Sequence, residues 1–257
     1  MVDFGVQTAI MIMMSLTDKK VLLAIPVYNE QENLAAVLDR VGQYIGNVLV
    51  IDDGSTDKSK LILAARRDVC VVSHRKNCGY GKTIIQAFNF AAGCSFEWVI
   101  TMDCDLQHEP RQIPDFLRAI ENNDCNVISG SRYMPASVRN DSPPPDRQEI
   151  NKIVARWINE KLHLNLTDAF CGFKACRVEA VAQLEFTETG YAFPLEFWVQ
   201  MAHHQQRVRE IPVDLIYNDP QRHFGGELDN PDIRLSHYKE VFDNALRKVG
   251  WEGPTLT

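Results

Sequence analysis

Residues 98–110 read WVITMDCDLQHEP. An apolar run, 98–102, stops at two carboxylates one residue apart, Asp103 and Asp105, with Gln107 and His108 directly behind. The run is continuous rather than alternating, which predicts a strand buried on both faces, as in a parallel sheet covered by helices. In open sheets of that kind, ligands bind beyond the carboxyl ends of the strands. Side chains at i and i+2 of a straight strand share a face. Asp103 and Asp105 therefore aim negative charge at one place, and their repulsion calls for a cation. Mg2+ or Mn2+ fits this donor set, because such hard ions take one or two carboxylates and leave room for substrate phosphates. Gln107 or His108 is a further candidate ligand. Taken alone, the two acids also suit a helix cap. Cys104 between them points to the opposite side of a strand and reads as packing.

The same pattern recurs outward from this stretch. VLLAIPVYN (21–29), NVLVIDDGSTD (47–57), VCVVSH (69–74), EWVITMD (97–103) and CNVISGSRY (125–133) predict five strands. Helical periodicity lies between them, as in Leu34, Val37, Leu38, Val41 and Ile45. Asp57 suits the N-cap of the second helix. Alternating strands and helices predict an α/β fold with a mostly parallel, Rossmann-like sheet. The acids that end these strands, Glu30, Asp52, Asp53, Asp103 and Asp105, gather on one rim. NCGYGKTIIQAF (77–88) opens a helix whose first N–H groups suit an anion, although a simple glycine entry explains it equally well. It lacks the spacing of a Walker A loop.

The character of the chain changes after residue 135. ASVRNDSPPPDRQEI (136–150) is polar and rich in proline, which predicts an irregular loop that serves as a mobile lid. A helix is expected from 148, a strand-like piece over 169–177, a helix over 194–206, a strand over 208–218 and a closing helix over 233–249. One domain over 20–250 is the simplest organisation, preceded by a poorly ordered tail, 1–19.

Composition narrows the function classes. The 257 residues carry a net charge of −7, which argues against a nucleic-acid partner. Seven scattered cysteines without zinc-type spacing fit reduced thiols in the cytoplasm. No run of about 18 apolar residues occurs, so no transmembrane helix is expected. The apolar patch at 9–14 lacks the basic flank of a signal peptide. No G-x-G-x-x-G follows the first strand, which disfavours a dinucleotide-dependent dehydrogenase.

IPVYNEQENL, VLVIDDGSTDKS, NCGYGKTIIQAF, TMDCDLQHEP and VISGSRY occur in this order at successive strand ends. Together they resemble glycosyltransferase family 2, with its GT-A fold. TDAFCGFKACR, GYAFPLEFWVQMA and REIPVDLIYNDPQRHFGGE resemble the polyprenyl-phosphate (dolichol-phosphate) mannosyl- and glucosyltransferase branch. The resemblance implies a nucleotide-sugar donor, UDP- or GDP-linked, bound by Pro26, Tyr28, Glu30, Asp52, Asp53 and Asp103, with Lys82 as a further contact. It places a divalent metal on Asp103, Asp105 and Gln107. It divides the domain into a nucleotide-sugar half, 20–133, and an acceptor half, 134–250. For Asp53-Gly54-Ser55 a plain tight turn is the alternative.

The family inverts the anomeric carbon by direct displacement. A hydroxyl acceptor then needs a general base, whereas a lipid phosphate is already an anion. Relatives that use hydroxyls carry a Glu-Asp pair on the late helix; here PLEFW has one acid, Glu196. That favours polyprenyl phosphate as acceptor, with Glu196 either a base or a buried structural carboxylate paired with an arginine. Arg132 and Arg222 match basic positions of the branch, and arginine suits phosphate. The branch's Ser-Lys pair after this arginine is missing, which puts the second phosphate anchor in doubt; Arg147 and His223 are the substitutes at hand. The rivals are a transferase to a hydroxyl of a soluble or wall glycan, and a non-catalytic nucleotide-sugar binder. A lipid acceptor implies peripheral membrane contact or a membrane partner, through residues 9–14 or an exposed face of the closing helix (Ile233, Tyr238, Val241, Phe242).

Overall fold

A computed structural model describes residues 21–134, 141, 143–217 and 226–251. The expected tail, residues 136–140 and 142 of the proposed lid, Arg222 and His223 lie outside the described residues. The strands are β1 (Val21–Val27), β2 (Val48–Asp52), β3 (Cys70–Ser73), β4 (Trp98–Thr101), β5 (Val127–Ser131), β6 (Lys174–Arg177) and β7 (Val208–Pro212). The helices are α1 (Leu34–Val41), α2 (Ser59–Ala65), α3 (Tyr80–Gly93), α4 (Ile113–Glu121), α5 (Pro145–Leu162), α6 (Val178–Ala182), α7 (Phe193–His203) and α8 (Pro231–Lys248).

The strands form one sheet in the order β3-β2-β1-β4-β6-β5-β7. All pairings are parallel except those of β6, which runs antiparallel to both β4 and β5. Alternate residues of β1 feed two cores. Leu22 and Ala24 pack with α3, α5, α7 and α8, while Val21, Leu23, Ile25 and Val27 pack with α1 and α4. Burial on both faces is why these strands read as unbroken apolar runs.

β1 pairs with β2 on one side and β4 on the other. The chain therefore crosses over in opposite directions from this point, and a crevice opens at the carboxyl ends of β1 and β4. Tyr28 and Glu30 follow one strand and Asp103 and Asp105 the other.

Three expectations change. β4 ends at Thr101, so Asp103 and Asp105 stand on the loop beyond it rather than on a straight strand. Residues 145–150 are helical rather than irregular, because Pro145 sits at the first helical position, where its missing N–H is no loss. α8 buries Tyr238 and Phe242 in the core, so the proposed membrane face reduces to Ile233, 43% exposed, and a partly buried Val241. Its start is set by Asn230, whose side chain accepts from the Asp232 and Ile233 N–H groups. Among the described residues no helix is long and apolar enough to cross a membrane.

Candidate active site

The loops after β1 and β2 are laced together. Asn29, with a positive φ of 57°, accepts the Thr56 N–H on its side-chain oxygen at 2.8 Å. The Asn29 and Glu30 N–H groups donate to the hydroxyls of Ser55 and Ser59, each at 3.0 Å. Asp57 accepts from the Ser59 and Gln31 N–H groups. The polar residues of both motifs thus hold Tyr28 and Glu30 at the rim of a cavity of about 550 Å3, which Pro26, Tyr28 and Glu30 line.

The Asp52-Asp53 pair divides. Neighbours on a strand point to opposite sides, and only Asp53 lines the cavity. Asp52 is fully buried; Oδ1 accepts the Ser55 N–H at 2.9 Å, and Oδ2 has no hydrogen-bond partner. Asp53 accepts the Cys78 and Gly79 N–H groups at 2.8 and 2.9 Å. The Lys82 N–H donates to the Thr189 carbonyl. The α3 N-terminus is therefore occupied by a carboxylate and a carbonyl, which revises the expected anion seat. The Lys82 side chain is exposed and does not line the cavity.

Asp103, Asp105 and Gln107 line the cavity together. Asp105 Oδ1 accepts the Gln107 N–H at 3.0 Å, which folds the loop into a turn. Asp103 lies against the backbone of Gly172; a Cβ there would stand 2.9 Å from Asp103 Cγ. Tyr80 hydrogen-bonds Asp103, and its phenol is pushed well up by burial first and then by the nearby carboxylates.

His108 is buried and positions Asp103 instead of joining the ligands. Its Nδ1 accepts the Asp103 N–H at 3.0 Å, and Nε2 faces Cys171 Sγ at 3.9 Å. Burial works against the imidazolium, but Asp103, Cys171 and Asp105 carry the pKa up to about 9. These facts oppose each other, since a protonated Nδ1 would confront an N–H. The hydrogen bond decides for the neutral ring with its proton on Nε2, and a cation on the two acids would remove the pull toward charge. Three features therefore fit a hard divalent ion: two carboxylates set by the backbone, the neutral His108, and Gln107, whose buried side-chain nitrogen has no partner. Amide O and N are interchangeable by a flip, which would turn an oxygen to that position.

Arg132, Arg147 and Arg234 line the same cavity. Arg132 grips Asp168 in a fork, Nε at 2.7 Å and Nη2 at 2.9 Å. Burial favours the neutral forms of both groups; their mutual attraction overcomes it and holds Asp168 low and Arg132 well above its usual value. Arg234 is buried and donates to Asp146 at 2.6 Å and to the Leu228 carbonyl at 2.9 Å. Arg147 lies over the Tyr217 ring at 5.5 Å. Phe170, Tyr191 and Tyr238 add an aromatic wall.

Glu196 is not among the lining residues. It is buried on α7, where its carboxylate accepts the Thr187 N–H and hydroxyl, each at 2.8 Å, and the Glu188 N–H at 2.7 Å. Its cationic neighbour is Lys248, at 3.4 Å, instead of an arginine. This geometry makes it an anchor for the 187–191 segment. Asp168, Gly172 and Arg234 escaped the sequence reading. Asp168 is a single acid without a pattern, and Arg234 sits on an amphipathic helix where a charge reads as solvated.

The profile of the family described as Glycosyl transferase family 2 matches residues 23–184. The undecaprenyl-phosphate mannosyltransferase of Micrococcus luteus is 28% identical, over 77% of this chain and 84% of its own. The polyprenol monophosphomannose synthase of Mycolicibacterium smegmatis is 28% identical, over 86% and 85%. The dolichol-phosphate mannosyltransferase of Pyrococcus furiosus is 30% identical over 75% of this chain, but only 55% of that longer protein is covered. Among solved structures, glucosyl-3-phosphoglycerate synthase from Mycobacterium tuberculosis, in complex with Mn2+, UDP and phosphoglyceric acid, superposes with a TM-score of 0.67 at 15% identity, covering 92% of this chain and 80% of that one. That likeness establishes a shared GT-A fold.

Proposed function

This chain belongs to glycosyl transferase family 2, and on that premise we propose that it moves a hexose, with inversion, from a nucleoside diphosphate sugar to polyprenyl phosphate. The observation that carries this reading is the charge lining of one cavity, which brings Glu30, Asp53, Asp103 and Asp105 together with Arg132, Arg147 and Arg234. The names of the polyprenyl-phosphate relatives support the acceptor, and the Mn2+ and UDP of the structural neighbour support the donor chemistry.

Residues 20–133 would carry the donor and 134–250 the acceptor. Pro26, Tyr28 and Asp53 line the nucleoside end, with Asp53 offering oxygens to base or ribose donors. Asp103, Asp105 and Gln107 would hold Mg2+ or Mn2+, which when bound neutralises charge on the departing nucleoside diphosphate. The arginines would orient the acceptor phosphate. Its oxygen forms the new bond to the anomeric carbon as the bond to the diphosphate breaks, and one displacement inverts the centre. A phosphate monoester is mostly dianionic at neutral pH, so no general base is required, in keeping with the absence of Glu196 from the cavity lining.

The test offers UDP- and GDP-linked hexoses with Mn2+ to the protein, together with a short-chain polyprenyl phosphate. The expected product is a polyprenyl-phosphate sugar of inverted anomeric configuration by NMR. Transfer only to glycan hydroxyls would overturn the acceptor assignment, and no transfer or donor hydrolysis with any nucleotide sugar would overturn the enzyme.

A further inference from the structure

Among the described residues, Asp53, His74 and Cys78 bring a carboxylate oxygen, an imidazole nitrogen and a thiol sulfur within 4.8 Å of one another. The sheet explains the meeting. β2 and β3 are parallel neighbours, so the residues that follow them, Asp53 and His74, emerge side by side. The entry to α3 then lays Cys78 across both.

His74 has an unusual pair of partners. Nδ1 faces Asp53 Oδ1 at 2.6 Å, and Nε2 faces the side-chain oxygen of Gln86 on α3. Two oxygen acceptors on one ring require a proton or a cation on each nitrogen. With Nε2–H donating to Gln86, Nδ1 is the atom free to ligate. Metal-binding histidines are commonly held in this way, with the second N–H given to a carbonyl or carboxylate. The Cys78 and Gly79 N–H groups fix the Asp53 carboxylate. Cys78 is partly exposed and gives an ion a way in.

We propose that Asp53, His74 and Cys78 form a second metal site, selective for Zn2+, whose occupation blocks the donor end of the cavity. One sulfur, one nitrogen and one oxygen suit a borderline-soft ion, whereas the all-oxygen set at Asp103, Asp105 and Gln107 suits Mg2+ or Mn2+. Three protein ligands leave a fourth tetrahedral position, and one of the three, Asp53, lines the cavity. Tetrahedral zinc at about 2.0–2.3 Å from each ligand needs donor atoms more than about 3 Å apart, so the present contact between Asp53 and His74 must open. Thiolate is the ligating form of cysteine, so binding displaces the Cys78 thiol proton to solvent. The blocking role rests on the donor reading above; the site itself does not.

Co2+ serves as the spectroscopic surrogate. Titration of the full chain is expected to give a near-ultraviolet thiolate-to-cobalt charge-transfer band that saturates at one equivalent and is bleached by Zn2+. The band should persist in Asp105→Ala and vanish in Cys78→Ala and in the near-isosteric Cys78→Ser, with thermal melts confirming that the variants fold. No band in the wild type, or a band that survives loss of Cys78, overturns the site. For the blocking role, nucleoside diphosphate affinity is measured with Mn2+ present. A weakening of tenfold or more on adding one equivalent of Zn2+, absent in Cys78→Ala, supports it, and unchanged affinity overturns it. Failure of the wild type to bind UDP or GDP with Mn2+ alone would instead refute the donor reading, and the Co2+ titration would still decide the site.

Discussion

The acids of the cavity come from the loops after β1, β2 and β4, whereas its arginines, Arg132, Arg147 and Arg234, come from the end of β5 and from α5 and α8. The acids are fixed largely by backbone: Asp53 by two N–H groups, Asp103 by the bare Gly172 and the His108 contact, Asp105 by its turn with Gln107. The arginines are fixed by other side chains: Arg132 by Asp168, Arg234 by Asp146, Arg147 over Tyr217. The acids are therefore placed largely by the main chain, whereas Arg132 and Arg234 have their charge balanced by carboxylates, so these guanidiniums serve more to orient a ligand than to attract it.

Removing charge from the acids tests this most severely. Asp105→Ala should lower Mn2+-dependent nucleotide affinity by about 100-fold or more, with the melting temperature nearly unchanged, by calorimetric titration and thermal denaturation. Asp105→Asn keeps an acceptor for the Gln107 N–H and should lose nearly as much; a mild effect there would mean that the turn, not the charge, matters. Among the arginines the loss should fall on stability instead. Arg132→Ala strands the fully buried Asp168 and should cost about 3 kcal/mol in denaturant unfolding. Arg147→Ala should cost less than about 1 kcal/mol while weakening polyprenyl-phosphate transfer. Equal destabilisation by both substitutions would erase the distinction.

The contrast also explains what the sequence disclosed. Acids at strand ends are readable because one local pattern, an apolar run that stops at a carboxylate, encodes both the strand and its functional tip. The α/β sheet and the joint placement of Glu30, Asp53, Asp103 and Asp105 were legible for that reason. The antiparallel β6 was not, since four residues, KACR, carry no directional signal. Neither was the helical start at Pro145, where proline reads as a breaker unless its position in the first turn is known. Asp168 and Arg234 act through partners 36 and 88 residues away, and no local pattern reports such a pairing. Glu196 was recognised as an acid on the late helix, but its direction depends on the 187–188 backbone it binds.

A smaller change beside the acids would sharpen the role of backbone placement. Gly172→Ala puts a methyl group into the Asp103 carboxylate. It should lower Mn2+-dependent nucleotide affinity about tenfold, in the range seen when a ligand's supporting contact is lost. Affinity equal to the wild type would show that Asp103 swings freely and that the cradle is incidental.

The smallest effect on turnover is expected at Glu196. If it were a general base, Glu196→Gln should cut kcat by about 100-fold or more and leave stability intact, since the shape is preserved. As an anchor it should do the opposite. The carboxylate accepts three hydrogen bonds from Thr187 and Glu188 and lies 3.4 Å from Lys248 Nζ. A glutamine turns an NH2 group toward at least one of these donors and leaves buried groups unmatched, so unfolding free energy should fall by about 1–3 kcal/mol. Thr187 and Glu188 lead into Tyr191, which stacks on Tyr80 at 6.3 Å, and Tyr80 in turn bonds Asp103. Loosening that chain should raise KM for the nucleotide sugar modestly, with kcat within about twofold. The shape of the kcat–pH profile should not change. A lost limb in that profile, with full stability, would return Glu196 to the chemistry and reopen the case for a hydroxyl acceptor.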